Sequence, residues 1–258
     1  MTAAIHPSAI VDSTAELGQG VTLGPFAIVG PNVTVGDGCW IGPHASLERN
    51  CQLGPGVRIG HGTIVGGDPQ DLKYGGEETW VEIGGGTVIR EYATINRGTT
   101  ATGSTTVGRD CFLMSYVHVA HDCHLGDSVI IANGTQMAGH VTIRDHATLS
   151  GLIGIHQFVT IGEYSFVGAA TRLTQDIPPF VKAVGSPMEL YGLNTIGLQR
   201  AGFAPDTIAA LKKAYRLFFN SNLNLTQAIE RAKLELPMYP EVERFIAFVE
   251  TTKRGVPA

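Results

Sequence analysis

Aromatic residues are scarce in this chain of 258 residues: 10 Phe, 7 Tyr and 2 Trp, 7 % in all. With 43 % hydrophobic residues the core must therefore be built from Val, Ile, Leu and Ala. Charged residues are few as well, at 16 %, yet a chain this apolar can bury a core, which excludes disorder. No run of about 18 apolar residues occurs, so a membrane-spanning helix is excluded. Met1 to Ile10 has neither a charged n-region nor an apolar h-region; no secretory signal is expected, and the cytoplasm is the default compartment. The net charge of −5 argues against nucleic acid as a partner.

Glycine, in contrast, is abundant: 33 residues, where ordinary usage of about 7 % would give about 18. They are unevenly spread, 28 within residues 1–175 and 5 within 176–258. Charge divides at the same place, 8 Lys/Arg against 15 Asp/Glu before it and 10 against 8 after it. Two differently built segments meet near residue 175.

The first segment is a lattice of period six. Ile5, Val11, Leu17, Leu23, Val29, Val35 and Ile41 open a series that runs to Leu173, and of its 29 positions only Asp71, Glu77 and Ala101 are not large and aliphatic. Two residues earlier, small or β-branched residues repeat: Ala9, Ala15, Val21, Ala27, Val33, Cys39, Ala45 and Cys51. Two inward positions per hexad is short-strand chemistry, because strand side chains alternate between faces. Glycine often follows the aliphatic residue, as at Gly18, Gly24, Gly30 and Gly36, where a tight turn is expected to need a residue without Cβ. Three hexads make an 18-residue turn of a three-sided solenoid. Nine or ten turns, about 4.8 Å each, predict a prism roughly 45 Å long. An ordinary sandwich, with strands spaced at 8–12 residues, does not produce this period.

The lattice assigns Cys39, Cys51, Cys111 and Cys123 to the small inward phase, hence to the core rather than to metal or redox chemistry. Two stretches break the pattern and should protrude as loops, about 66–80 (GGDPQDLKYGGEETW) and 97–106 (RGTTATGSTT). After residue 176 helical spacing takes over. Ile208, Leu211, Tyr215 and Phe218 form one apolar stripe, Leu225, Ile229, Ala232 and Leu236 a second, and Val242, Phe245, Ile246 and Val249 a third, with a fourth helix expected near 190–201. These helices would cap the open end of the prism. Lys212, Lys213 and Arg216 lie opposite the first stripe, either as a solvated face or as a surface for an acidic partner.

Six of the nine histidines fall in one window: His118, His121, His124, His140, His146 and His156. None occupies an inward phase. His140 lies one coil above His121 and one position over, which places the pair within roughly 6–8 Å. His118 shares the coil of His121, and His156 stands nearly two coils away, about 10 Å. Clustered imidazoles suit general-base chemistry or zinc. Zinc occurs on hexapeptide helices in the gamma-class carbonic anhydrases, but the spacing here does not match theirs, and three ligands about 2.1 Å from one ion would be required.

DLKYGGE at Asp71–Glu77, HVAHDC at His118–Cys123, AGH at Ala138–His140, HQF at His156–Phe158 and GLNTIGLQRAGF at Gly192–Phe203 resemble the UDP-N-acetylglucosamine 3-O-acyltransferases of lipid A biosynthesis, over nearly the whole chain. These are hexapeptide-repeat acyltransferases. The resemblance implies an all-β left-handed parallel β-helix over 1–175 with an α-helical C-terminal domain over 176–258. It implies transfer of an R-3-hydroxyacyl chain from acyl carrier protein to the sugar 3-hydroxyl, with no metal and no cofactor beyond the donor's phosphopantetheine. His121 would be the general base, Asp122 its orienting carboxylate and Gly139 N–H the oxyanion donor. An unperturbed imidazole, titrating near 6.5, suits the base role at neutral pH. Asp71, Lys73, His118, His140, His156 and Gln157 would contact the nucleotide sugar or the acyl-phosphopantetheine, and Asn194 and Arg200 the nucleotide. The interval from Lys73 to His121 is not a whole number of coils, which by phase puts Lys73 on another face. The homotrimer that the resemblance implies, with sites between prisms, is therefore the expected assembly. Ile196 and Ala201 depart from the family's acidic and second basic residues. Ala169 falls where acyl length is set, and its methyl group predicts a medium chain.

Two other readings remain open from the residues alone. A related transferase using coenzyme A would need no carrier protein. A β-helical surface binder such as an ice-binding prism would carry regular outward Thr ladders; here the outward phases carry scattered charge and His.

Overall fold

The computed structural model describes residues 3–257. Outside the two loops each hexad forms a short strand, paired in parallel with the strand one turn of the coil away, as Ala4 with Thr22, Arg58 with Trp40 and Thr148 with Phe166. Three sheets result, of eleven, nine and eight strands. They form the three faces of a prism, entered in chain order at Ala4–Ile5 (first face), Ile10–Val11 (second) and Glu16–Leu17 (third). The aliphatic phase fills the centre, with Val29, Ile41, Leu47 and Ile59 at 0 % exposure, and the small phase packs beside it, with Val21, Ala27, Cys39 and Ala45 also at 0 %. Cys39, Cys111 and Cys123 point their thiols at corner carbonyls of Gly54, Gly126 and Ala138. Burial pushes the Cys51 and Cys123 thiols up to about 12, so neither supplies a thiolate near neutral pH.

The corners differ from expectation in which residue makes the turn. The left-handed position lies two residues beyond the expected glycine and is often not glycine at all, as at Phe26 (φ 58°), His44 (55°) and His140 (61°). The glycines after the aliphatic position serve close approach instead. A Cβ on Gly36 would stand 2.7 Å from the carbonyl carbon of Gly54 on the next coil, and one on Gly30 would overlap the Glu48 carbonyl oxygen. Coils stacked at strand spacing leave no room there for a side chain.

Both expected loops exist. On the second face Ile64 pairs with Thr94 and Thr94 with His118, so these two turns of the coil are longer than the regular turn that pairs Ile64 with Ser46. The first loop joins Ile64–Gly67 on the second face to Trp80–Ile83 on the third, and the second joins Thr94–Asn96 to Ser104–Val107. Both therefore leave the same corner of the prism, on successive coils. This corrects the phase argument for Lys73: its loop springs from the face that carries His118, not from another.

The first face continues past residue 175. Val181–Val184 pairs in parallel with Phe166–Val167, and Glu189–Leu193 folds back antiparallel to it. Helix starts only at Thr195, so the segment expected to be helical begins with a hairpin. Four helices follow, α1 (Thr195–Arg200), α2 (Pro205–Phe219), α3 (Leu225–Glu235) and α4 (Pro240–Thr251). Proline at the first helical position opens α2 and α4, and Asn224 with Gln227 makes a capping box for α3. Phe218, Phe219 and Phe245 meet edge to face or tilted in the centre of this cap. Arg244 of α4 donates to Glu163 of the prism at 2.7 Å, and Asp176 accepts from Thr252 Oγ1 at 2.6 Å. No helix is long and apolar enough to cross a membrane among the described residues.

Candidate active site

The coil that follows the two loops at the same corner carries His121 and Asp122. Asp122 takes the left-handed turn position (φ 59°), where side chains such as Phe26 and Tyr116 are exposed, but the 97–106 loop closes over its carboxylate and the residue is 1 % exposed. His121 Nδ1 lies 2.7 Å from Asp122 Oδ2. An ionised carboxylate only accepts, so Nδ1 carries the proton and Nε2 is left as the accepting nitrogen. Three further donors reach the same carboxylate from the 97–106 loop. Thr99 N–H bonds Oδ1 at 2.9 Å, Thr99 Oγ1 bonds Oδ2 at 2.7 Å, and Thr102 Oγ1 bonds Oδ1. Burial pushes the Asp122 carboxyl up, but the hydrogen bonds from Thr102, His121 and Thr99 outweigh it and hold the group at about 2.

One coil above, Gly139 lies against the His121 ring; a Cβ there would stand 2.7 Å from Nε2. The Gly139 N–H bonds nothing among the described residues. A free backbone donor thus sits beside a free imidazole nitrogen. Both line a groove of about 730 Å³ that runs over the second face, with His118, Gln136, Met137, His156, Gln157 and Arg172. Of the first loop, Gln70 reaches this groove. His118 Nδ1 is 2.7 Å from Thr94 Oγ1, and burial followed by the nearby His121 lowers its basicity, which favours a neutral ring.

Other candidates fall elsewhere. His140 stacks on Phe158 (centroids 4.5 Å apart, 7° between planes) and stands edge-on to His121 at 5.2 Å, outside the groove lining. Asp71 accepts from Lys73 N–H at 3.0 Å on the exposed loop, and Lys73 does not line the groove. Asn194 caps α1, its Oδ1 accepting from Gly197 N–H at 3.2 Å while its Nδ2 donates to Tyr164 O. With Arg200, Lys182, Phe166 and Ile196 it lines a second pocket of about 420 Å³, on the first face. Ala169 is exposed in the turn between the first and second faces, across the second face from His121. Lys212, Lys213 and Arg216 are exposed on α2.

Sequence reasoning missed Thr99, Thr102 and Gln70. The composition RGTTATGSTT marks a loop, but nothing in it points to a carboxylate on the following coil. His121, Asp122 and His140 converge closely enough to suggest a metal triad. The 2.7 Å His121–Asp122 contact is a hydrogen bond, shorter than two ligands spread tetrahedrally at about 2.1 Å around one ion would allow. With the threonine donors it accounts for the cluster.

A family model described as UDP-N-acetylglucosamine O-acyltransferase, domain 2, matches residues 176–257. One for bacterial transferase hexapeptides (six repeats) matches 14–48, 32–67 and 104–139. A curated relative from Paraburkholderia phymatum, named acyl-[acyl-carrier-protein]–UDP-N-acetylglucosamine O-acyltransferase, is 46 % identical over 98 % of both chains. Among solved structures, a UDP-N-acetylglucosamine acyltransferase from Bacteroides fragilis superposes with a TM-score of 0.97 at 39 % identity, covering 98 % of this chain and 99 % of that one. Another from Campylobacter jejuni gives 0.93 at 36 % identity with the same coverage.

Proposed function

The chain belongs to the UDP-N-acetylglucosamine O-acyltransferases, an enzyme family built on the left-handed parallel β-helix, and from that premise we propose how its groove works. The substrate pair is an R-3-hydroxyacyl thioester of acyl carrier protein and UDP-N-acetylglucosamine, in the first step of lipid A biosynthesis. The observation that carries the reading is the His121–Asp122 dyad lying beside the free N–H of Gly139 in one open groove.

His121 Nε2 takes the proton of the sugar 3-hydroxyl as its oxygen attacks the thioester carbonyl carbon. The developing oxyanion receives the Gly139 N–H. The C–S bond then breaks, the ester remains on the sugar, and His121 returns its proton to the departing phosphopantetheine sulfur. Asp122 stays ionised throughout, fixing the tautomer and stabilising the imidazolium. His118, His156 and Gln157 hold substrate along the groove, aided by Asp71 and Lys73 on the adjoining loop and by His140 behind the dyad. The reaction needs no metal and no cofactor of the enzyme's own.

Asn194 and Arg200 lie on a different face from His121. A homotrimer in which the nucleotide spans from one prism to its neighbour joins the two pockets into one site. Lys212, Lys213 and Arg216 present the positive face of α2 to the acidic carrier protein in the cytoplasm. Ala169, at the far edge of the second face, limits the acyl chain to medium length.

The test is acyl transfer by the purified protein with UDP-N-acetylglucosamine, its 3-amino counterpart, and 3-hydroxyacyl carrier proteins of graded length. Carrier-dependent O-acylation peaking at a medium chain is expected, with loss of about 10³-fold or more in His121→Ala. Full activity in His121→Ala, or equal turnover from free acyl-coenzyme A, would overturn the reading.

A further inference from the structure

On the regular coil a corner carboxylate such as Asp37 or Asp145 is exposed and takes one N–H from the neighbouring coil. Asp122 instead belongs to a residue 1 % exposed, and four donors converge on its carboxylate. Three of the four belong to the extra chain between Thr94–Asn96 and Ser104–Val107. We infer that Thr99 and Thr102 are positioning residues for the His121–Asp122 pair and that the insertion serves to deliver them.

The inference rests on the role given to that pair above. His121 alone engages one face of one oxygen, Oδ2. A carboxylate held only there can turn about its last side-chain bond, and each turn swings the imidazole that follows it. Thr99 clamps both oxygens, one through its N–H and one through its hydroxyl, and Thr102 closes on Oδ1. The carboxylate plane is fixed, and with it the placement of the His121 ring beside Gly139. Thr105 Oγ1 accepts the Asp122 N–H at 2.9 Å and fixes the backbone as well. Sharing the negative charge among four donors also limits how strongly Asp122 draws a proton onto His121, so the ring stays able to accept one from substrate.

The groups that face Asp122 and could titrate are His121, His140 (Nε2 to Oδ2 3.8 Å) and the buried Cys123 next to it in the chain. His118 acts through His121. None of these comes from the insertion, so removing a threonine hydroxyl changes the donor set without changing the charges.

The experiment compares Thr102→Val, Thr99→Val and Thr102→Ser with the unaltered full-length protein. In each valine variant kcat falls about 10- to 100-fold while KM for the nucleotide sugar changes by less than about two-fold. The pH below which kcat/KM is lost moves up by about half a unit or more, and Thr102→Ser restores both. A valine variant that folds with kcat unchanged, or that loses kcat with no movement of the acid limb, overturns the inference. Carbon NMR of the Asp122 carboxyl in the free protein decides the matter independently of turnover. Its midpoint moves up from about 2 in Thr102→Val if the inference holds and stays there if it fails. Absence of transfer by the unaltered protein would count against the proposed function alone. Should valine at 102 prevent folding, the same measurement on Thr99→Val and Thr102→Ala carries the test.

Discussion

A methyl group added at Gly139 would stand 2.7 Å from His121 Nε2, closer than any real Cβ contact, and the ring would have to move. Gly139→Ala is expected to keep the fold, because the displaced ring lies at an open groove, yet to lose about 10²-fold in kcat through displacement of the base proposed above. Steady-state kinetics beside a melting curve checks this. Asp122 gives a second residue-scale prediction, in stability. Its carboxyl titrates at about 2 when folded against an ordinary 3.8. The folded value is depressed, so the stabilisation is present above 3.8 and is lost as pH falls from there toward 2, about 2 kcal/mol in all. Denaturant unfolding between pH 5 and 2 should show this component in the unaltered protein and not in Asp122→Asn. His121 and Asp122 were legible in the sequence because a local motif, HVAHDC, carries both. Thr99 and Thr102 were not, because the insertion lengthens its coil to the 24 residues that separate Thr94 from His118, and only the regular turn connects positions on neighbouring coils by count.

Each element of the prism is a strand too short to stand alone, so its stability comes from the coils above and below. The hexad showed which residues point inward, down to the cysteines, since period two within a strand and period six along the coil both follow from the backbone. It misled about the corner, because glycine answers two different demands and composition does not distinguish them. Gly30→Ala tests the distinction: its φ is ordinary, yet a Cβ would overlap the Glu48 carbonyl, so a loss of about 3 kcal/mol or more is expected in denaturant unfolding. Ala170→Gly, at φ 55°, should change stability by less than about 1 kcal/mol, since relief of the turn offsets the added freedom of the unfolded chain. The two loops are bound into one element by Arg97. Its side chain, 1 % exposed, meets Gly66 O, Asp68 Oδ1 and, at 2.9 Å, Tyr74 Oη. Arg97→Met leaves three polar groups without their partner at an expected cost of about 3 kcal/mol. Limited proteolysis should then cut within 68–78 well before the prism unfolds.

At the scale of the whole molecule, the groove holding His121 and the pocket holding Arg200 occupy different faces of one prism. In the homotrimer proposed above, a nucleotide sugar bound to both bridges two chains, and closed threefold symmetry repeats that bridge three times. Let His121→Ala and Arg200→Ala each abolish transfer, and let equal amounts of the two be unfolded together and reassembled. A site that takes His121 from one chain and Arg200 from the next is intact when an Arg200→Ala chain precedes a His121→Ala chain in the ring. Random assortment gives that order at about one site in four, so about a quarter of the unaltered activity should return. If both residues served a site within one chain, every site would still carry a defect and no activity would return. Mixing without unfolding, which leaves preformed assemblies unexchanged, provides the baseline, and recovered activity that saturates near a quarter separates the two arrangements.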